Sequence, residues 1–536
     1  MTRKKYLSLL LAALFTLGMM QDAQAVGILR PNIQVRDKTG TQQPGVSTQP
    51  SRETNTNKND TKERVVISTK PNVKQDTNVI AKQNANTSAK KETKAEPKTT
   101  AIISRTKQAA QANDLVQNFA LDGELASMLG DKGTQVPGLG VVAYKNSKKI
   151  YENYGGRRYI SEDKLGDLPF TKDSRFRVGT ISQTLVALAT LQLVDQGKLN
   201  LDEDISKYLG FTLRNPHNAD IKITTRMLMA HTSSLRDGSY DGKRPWQEIF
   251  ASSKGMFGPK DQKTGEYFHY ANVNYRVLAT ILEKVSNTRF DLFMKNGILK
   301  DLNIKGSYNI CDFKTKEQKL LGGVYQKQTK GTWDENGAWV LQMDDYTQLK
   351  GHKNTEFFVQ PAEASEDAWL NLLNYKIGEN ASVFVPECGL RASLDELSHL
   401  LEMIFAQGTY MNKQVLNEKT LEEMFKIHWF YDDWDKTGET YGGLFEAYGF
   451  GVMPYFNGST TRLTTVKDHQ WWGQIGDSLG IISGLVIDRR TKSGYVYLAN
   501  GQAMNWSDSR SRGKFSKHII WQENINDAIC RNLFKD

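Results

Sequence analysis

Thr180 and Gln183 stand at the head of an apolar run, Leu185, Leu188, Ala189, Leu191 and Leu193, which ends at Asp195-Gln-Gly197. This spacing predicts a buried helix whose first turn carries positions i and i+3 on one side. A hydroxyl and a basic nitrogen so placed would be a nucleophile and its base, the Ser-x-x-Lys arrangement of acyl transfer. Here both reactive residues differ. The methyl group of Thr180 fixes χ1 and crowds the approach to a carbonyl. Gln183 hydrogen-bonds but has no nitrogen that accepts a proton at neutral pH. Ser-x-x-Lys also occurs at Ser88–Lys91, Ser104–Lys107, Ser161–Lys164 and Ser511–Lys514, but none of these opens a buried helix. In a lysine-rich chain such pairs arise by chance.

Other chemistries find little support. No His, Cys, Asp and Glu residues have metal-ligand spacing, and no Gly-rich loop opens a helix as a nucleotide site requires, so neither metal nor cofactor is expected. Cys311, Cys388 and Cys530 are odd in number, so at most one internal bridge forms, and buried packing is expected of them.

The elements that position Thr180 belong to the later part of a chain of 536 residues with a net charge of +10. Met1–Ala25 reads as a secretory signal: Arg3, Lys4 and Lys5, an apolar stretch from Tyr6 to Met20, then Ala23-Gln-Ala25. An exported protein, periplasmic or extracellular, is expected, with no transmembrane segment after cleavage. From Gly27 to Ala112 there are 16 Lys/Arg against 7 Asp/Glu and no Phe, Tyr or Trp. Residues 26–112 are therefore expected to be a disordered basic tail. It would serve as a spacer, dock an envelope protein through Val65-Val-Ile67 or Ala101-Ile-Ile103, or tether the domain to an anionic surface. The remaining residues, 113–536, carry 51 basic against 52 acidic side chains. The positive charge thus lies outside the folded part, and nucleic acid is not an expected partner.

Within 113–536, helical periodicity runs from Leu115 to Leu129, followed by a hairpin of Gly138–Tyr144 and Lys149–Tyr154. After the Thr180 helix come the segments Leu199–Leu209 and Thr224–Gly238, and helical patterns recur over Asn274–Val285, Asp395–Ala406, Glu418–Ile427 and His518–Phe534. Residues 306–385 read as loops with a helix near Ala368–Asn374. Three strand-like runs, Tyr448–Pro454, Gly480–Ile487 and Gly494–Ala499, come late. The order implies an α+β fold: an antiparallel sheet built from both ends of the domain, flanked by helices, with an inserted, mostly helical lobe.

Five segments in this order resemble the serine beta-lactamase and penicillin-binding protein superfamily, in its class C beta-lactamase-like, D-alanyl-D-alanine carboxypeptidase and esterase branch. Phe176-Arg177, Ser182, Thr184 and Gly197-Lys-Leu199 match the frame of the nucleophile helix. Leu228-Met-Ala-His231-Thr-Ser-Ser-Leu is similar to the family's Leu-Leu-x-His-Thr-Ser-Gly-Leu, and Tyr270-Ala-Asn272 to its Tyr-x-Asn. Glu387–Asp395 is similar to Gly-Gly-Leu-x-Ser-x-x-Asp, and Tyr448-Gly-Phe-Gly451 to Tyr-Gly-x-Gly.

The resemblance implies that Thr180, Gln183, Tyr270 and Gln474 occupy the catalytic positions, where relatives have Ser, Lys, Tyr and His or Lys. Asn272, Ile475 and Gly476 would line the pocket. Trp472-Gly473 is also similar to the Trp-Gly-Gly of related esterases, a register shifted by two that restores no base. His231 and Asp395 read as structural. Two functions stay open. One is an envelope binding or adaptor module with a degenerate centre, taking a peptidoglycan peptide, an ester or a beta-lactam-like ligand. The other is a hydrolase using Thr180 with Tyr270 as its base.

Overall fold

Helix α2 (Ile181–Asp195), the one that follows Thr180, buries nearly its whole circumference, from Ile181 through Leu191 together with Leu193. Its apolar residues are not confined to one stripe, so both sides must be covered. A sheet lies on one side and a helical lobe on the other. The helix stops where Gly197 takes φ +67°, and the N–H groups of Lys198 and Leu199 close on the Leu193 carbonyl.

The computed structural model describes residues 115, 117–161, 166–343, 358–359 and 370–535. The expected signal and basic tail, residues 1–25 and 26–112, lie outside them. Helix α1 (Phe119–Ser127) is shorter than its periodicity suggested, because Asn118 caps it by accepting from Leu121 N. Strands β1 (Gly138–Lys145), β2 (Lys148–Tyr159) and β3 (Leu168–Pro169) follow. Late in the chain come β4 (Met453–Tyr455), β5 (Trp471–Ser478), β6 (Ile481–Asp488) and β7 (Ser493–Ala499). The sheet order is β4-β5-β6-β7-β1-β2-β3. The two ends of the domain meet where β1 pairs antiparallel with β7, Leu139 opposite Ala499.

Both faces of the sheet are buried, and its central strands are predominantly apolar. Val142, Tyr144, Leu485, Ile487, Val496 and Leu498 face the core around α2. Their neighbours Val141, Ala143, Ile482, Val486, Tyr495 and Tyr497 face a second core, closed by α1 and the final helix (Ile520–Leu533). The lobe is organised by helix α3 (Val273–Ser286), which packs against α2, and helix α4 (Leu394–Phe405) covers β1 and β7.

Three local expectations fail. Of the run Tyr448–Pro454, only Tyr448, Met453 and Pro454 lie in strands. Strand β5 is absent from the three runs read from the sequence, since Gly473, Gln474, Gly476 and Asp477 break the apolar alternation. In the span 306–385, Val324–Thr329 pairs antiparallel with Ala338–Met343. Of the helix expected at Ala368–Asn374, residues 368–369 lie outside the described residues, and the rest is a short strand, Leu370–Asn371, with one 3-10 turn, Leu372–Asn374. Cys311, Cys388 and Cys530 are all free thiols.

Candidate active site

The site forms where α2 begins under β5. A short strand, Arg175–Arg177, pairs with Arg391–Ser393 and delivers the chain to Gly179, whose φ is +61°. That left-handed turn suits glycine, and a side chain there would press on Ile481 and Ser483 of β6. Ser483 donates to the Val178 carbonyl at 2.9 Å and ties the turn to the sheet.

Thr180 is 5% exposed, and its Oγ1 has no hydrogen-bond partner in the protein. It lies directly against Gly476 of β5, where any Cβ would overlap the hydroxyl. Only glycine lets the strand approach the helix so closely.

One turn along, Gln183 is fully buried and held from three directions. Its Nε2 donates to the Tyr270 hydroxyl at 2.6 Å. Its Oε1 lies 3.3 Å from His231 Nε2 and 3.4 Å from the Tyr448 hydroxyl. Tyr448 also reaches Gln474 Oε1 at 3.3 Å, and its single proton serves one amide at a time. Thr180, Gln183, Tyr270 and Gln474, up to 294 positions apart in the chain, thus converge as the sequence implied.

The two remaining pocket residues contribute differently. Asn272 opens α3, and its backbone N–H is held by Asp237 Oδ2 at 2.8 Å. Ile475 faces the core beneath the final helix, on the opposite side of β5 from Gln474, so it offers the site its backbone rather than its side chain. Asp395 bonds Lys149 at 2.6 Å, in an ion cluster with Lys172 apart from this network.

Two members of the network were set down by sequence reading as framework. His231 takes φ +56° and stacks on Tyr270 with ring centroids 4.3 Å apart. Its Nδ1 accepts from Ala271 N–H at 3.2 Å and lies 3.1 Å from Asn274 Nδ2. This bonding assigns the proton to Nε2, which therefore donates to Gln183. Gln183 in turn must present its oxygen to His231 and its nitrogen to Tyr270. Tyr448, quoted above only as a strand entry, is the bridge between the two glutamines. The matched segments carried both residues, but nothing in their spacing showed contact with Gln183.

The site is electrically neutral. Burial drives the His231 imidazole down to about 3, so it carries no charge at neutral pH. Burial likewise holds the hydroxyls of Tyr270 and Tyr448 above the usual phenol range. Gln183 and Gln474 do not ionise. The arrangement is a set of oriented donors and acceptors around one unbonded hydroxyl. Among the described residues no group of three or more His, Cys, Asp or Glu side chains has the placement to hold a metal ion.

Comparison with known proteins agrees with this architecture. "Protein flp" of Staphylococcus aureus (strain COL) is 26% identical over 219 residues, 38% of this chain and 43% of that protein, so the match spans less than half of the relative's length. "Beta-lactamase-like protein 2" of Dictyostelium discoideum is 28% identical over 178 residues, 31% of each chain. Two solved structures share the fold. EstCE1, a hydrolase with promiscuous acyltransferase activity, has TM-score 0.52 at 17% identity, covering 76% of this chain and 98% of its own. The D-amino acid amidase of Ochrobactrum anthropi SV3, complexed with L-phenylalanine amide, has TM-score 0.50 at 17% identity, covering 77% and 99%. The family model "Beta-lactamase" matches residues 125–513. With that model spanning most of the chain, over the sheet, α2 and the Gln183 network, this protein belongs to the beta-lactamase family.

Proposed function

We propose that this protein acts by binding, as an exported envelope adaptor or ligand-sensing module whose catalytic centre no longer turns over. The observation that carries the reading is the Gln183 amide. It sits where relatives place a lysine base, and His231, Tyr270 and Tyr448 engage it. An amide fixed by its own hydrogen bonds cannot take a proton from Thr180. Loss of one member of such a catalytic unit costs on the order of 10⁴–10⁶ in rate. The ligand class that suits the pocket is a peptide, amide or ester group, including a peptidoglycan peptide or a beta-lactam-like ring, because oriented neutral donors and acceptors match those groups. The signal-like start and the basic stretch 26–112 support export and a role at the envelope, where the tail would meet an anionic surface or a protein partner.

Intact-mass analysis after incubation with a penicillin, a fluorophosphonate and a short ester tests the reading. No adduct is expected, and any slow hydrolysis should be identical in Thr180→Ala. A covalent adduct on the Thr180 peptide would replace this reading with a threonine hydrolase served by Tyr270. Restoring Thr180→Ser, Gln183→Lys and Gln474→His together should create measurable hydrolysis of a chromogenic beta-lactam in a silent parent.

A further inference from the structure

Two short strands, Trp429–Phe430 and Ala447–Tyr448, pair antiparallel, with Trp429 opposite Tyr448. Tyr448 bridges Gln183 and Gln474, so the chain that leaves this pair grows from the wall of the site. Alternation along the first strand sends Trp429 inward and Phe430 outward. Trp429 is buried and stacks on Phe268, ring centroids 4.1 Å apart, while Phe430 is 59% exposed.

The turn that follows is closed by its own hydrogen bonds. Trp429 Nε1 and Phe268 N–H both donate to the Thr437 carbonyl, at 2.8 and 2.9 Å. Thr437 Oγ1 donates to the Phe430 carbonyl at 3.2 Å and accepts from Asp432 N–H at 2.8 Å. Asp432 Oδ1 accepts from the N–H groups of Trp434 and Asp435, at 2.7 and 3.1 Å. This ordered turn nevertheless holds Trp434 92% exposed. Among the described residues eight large apolar side chains are exposed, and three of them, Ile427, Phe430 and Trp434, fall within one stretch of eight positions. Apolar side chains gathered in this way mark a contact surface, and tryptophan is among the residue types that most often anchor one. Because the backbone of the turn is already ordered, covering the indole costs little further entropy.

The charge on the turn decides what covers it. Asp432, Asp433 and Asp435 flank Trp434 against a single cation, Lys436, which pairs with Asp433 at 2.5 Å. Three carboxylates against one ammonium leave the turn with a net charge of −2. An anionic surface is repelled by such a turn. A guanidinium or ammonium group over the indole gains from the face of the ring and from the flanking carboxylates together.

We propose that the turn Phe430–Thr437 docks a Lys/Arg-bearing extended segment of a partner protein, with Trp434 as its anchor. The inference does not depend on what the pocket binds. It places the partner beside the Gln183 network, because Trp429 and Tyr448 carry the turn on the wall of the site.

Calorimetric titration of the full chain with the peptide Arg-Gly-Arg-Gly-Arg amide, and with the same peptide carrying citrulline for arginine, tests the inference. Citrulline keeps the shape of arginine and removes its charge. The arginine peptide should bind about tenfold tighter or more, and should weaken as salt rises. Trp434→Ala should weaken it by about fivefold or more, and Asp433→Asn combined with Asp435→Asn by about threefold or more. Trp434→Phe should retain part of the affinity. All three positions are exposed, so these variants should melt with wild type, and a loss of affinity then reports on contact. Equal binding of the two peptides, no binding at millimolar concentration, or an affinity unchanged in Trp434→Ala would overturn the proposal. Self-association lost in Trp434→Ala would overturn it in favour of a second copy of the chain. Binding to phosphatidylcholine vesicles lost in the same variant would overturn it in favour of a membrane.

Discussion

Thr180 is a hydroxyl with no bond to make inside the protein, and it is pressed against the one residue type that leaves it room. A buried hydroxyl without a partner costs about 1–3 kcal/mol. Thr180→Val, which keeps the shape and removes the hydroxyl, should therefore fold with stability equal to wild type or greater by chemical denaturation. A loss of more than about 1 kcal/mol would mean that the hydroxyl is satisfied in solution. Gly476→Ala has the opposite expectation, because its methyl group overlaps Thr180 Oγ1. Overpacking of this kind costs about 1–3 kcal/mol. Thr180→Ala should recover part of that loss in the double variant, whereas strict additivity would show that the two positions are not in contact. This contact and the Gln183 network also mark how far sequence reading reaches. Thr180, Gln183, Tyr270 and Gln474 were legible because each sits at a fixed offset within a motif. His231 was not legible as a site residue, since its bond to Gln183 joins positions 48 apart through space.

Strong periodicity read well wherever burial was complete: α2, α3, α4 and the final helix fall within a few residues of expectation. Strand β5 did not, because it is selected for the room it leaves and not for apolar alternation. Its glycines at 473 and 476 mark close approach, a signal visible only once the partner across the contact is known. Helix α3 carries a different hidden feature. Glu283 is fully buried and accepts from Phe290 N–H, the Tyr375 hydroxyl and Gly378 N–H, at 2.8, 2.7 and 2.7 Å. Burial outweighs those bonds and pushes its carboxyl up to about 7 from an ordinary 4.5. The folded state therefore holds this proton longer than the unfolded chain does. Its contribution to stability is fully present below pH 4.5 and is lost as pH rises through 7, by about 3 kcal/mol. His231 and His518, driven down to about 3 and about 4 by burial, act in the other sense and lose stability as pH falls below 6.5. Glu283→Gln isolates the first effect: its melting temperature should fall less than wild type's between pH 5 and pH 8. Parallel profiles would show that Glu283 titrates normally.

At the scale of the molecule, the sheet is a joint between the two ends of the domain. Chain-end packing repeats this, with Asn118 Nδ2 donating to the Asn532 carbonyl at 3.1 Å and Trp521 Nε1 to the Thr134 carbonyl at 2.7 Å. Neither end can form its half of the core alone. A chain ending after Asp488 lacks β7 and the final helix, and should show no cooperative thermal transition. A sharp transition near that of the intact protein would show that the lobe folds independently. The pairing of β1 with β7 also has a temporal meaning. During synthesis, β1 must wait until more than 350 further residues, Ala499 included, have emerged before its partner exists. Long-range pairing of this kind delays folding. The nascent domain thus stays open until its late strands are made, and β1 is an unpaired edge for most of the time the chain takes to emerge.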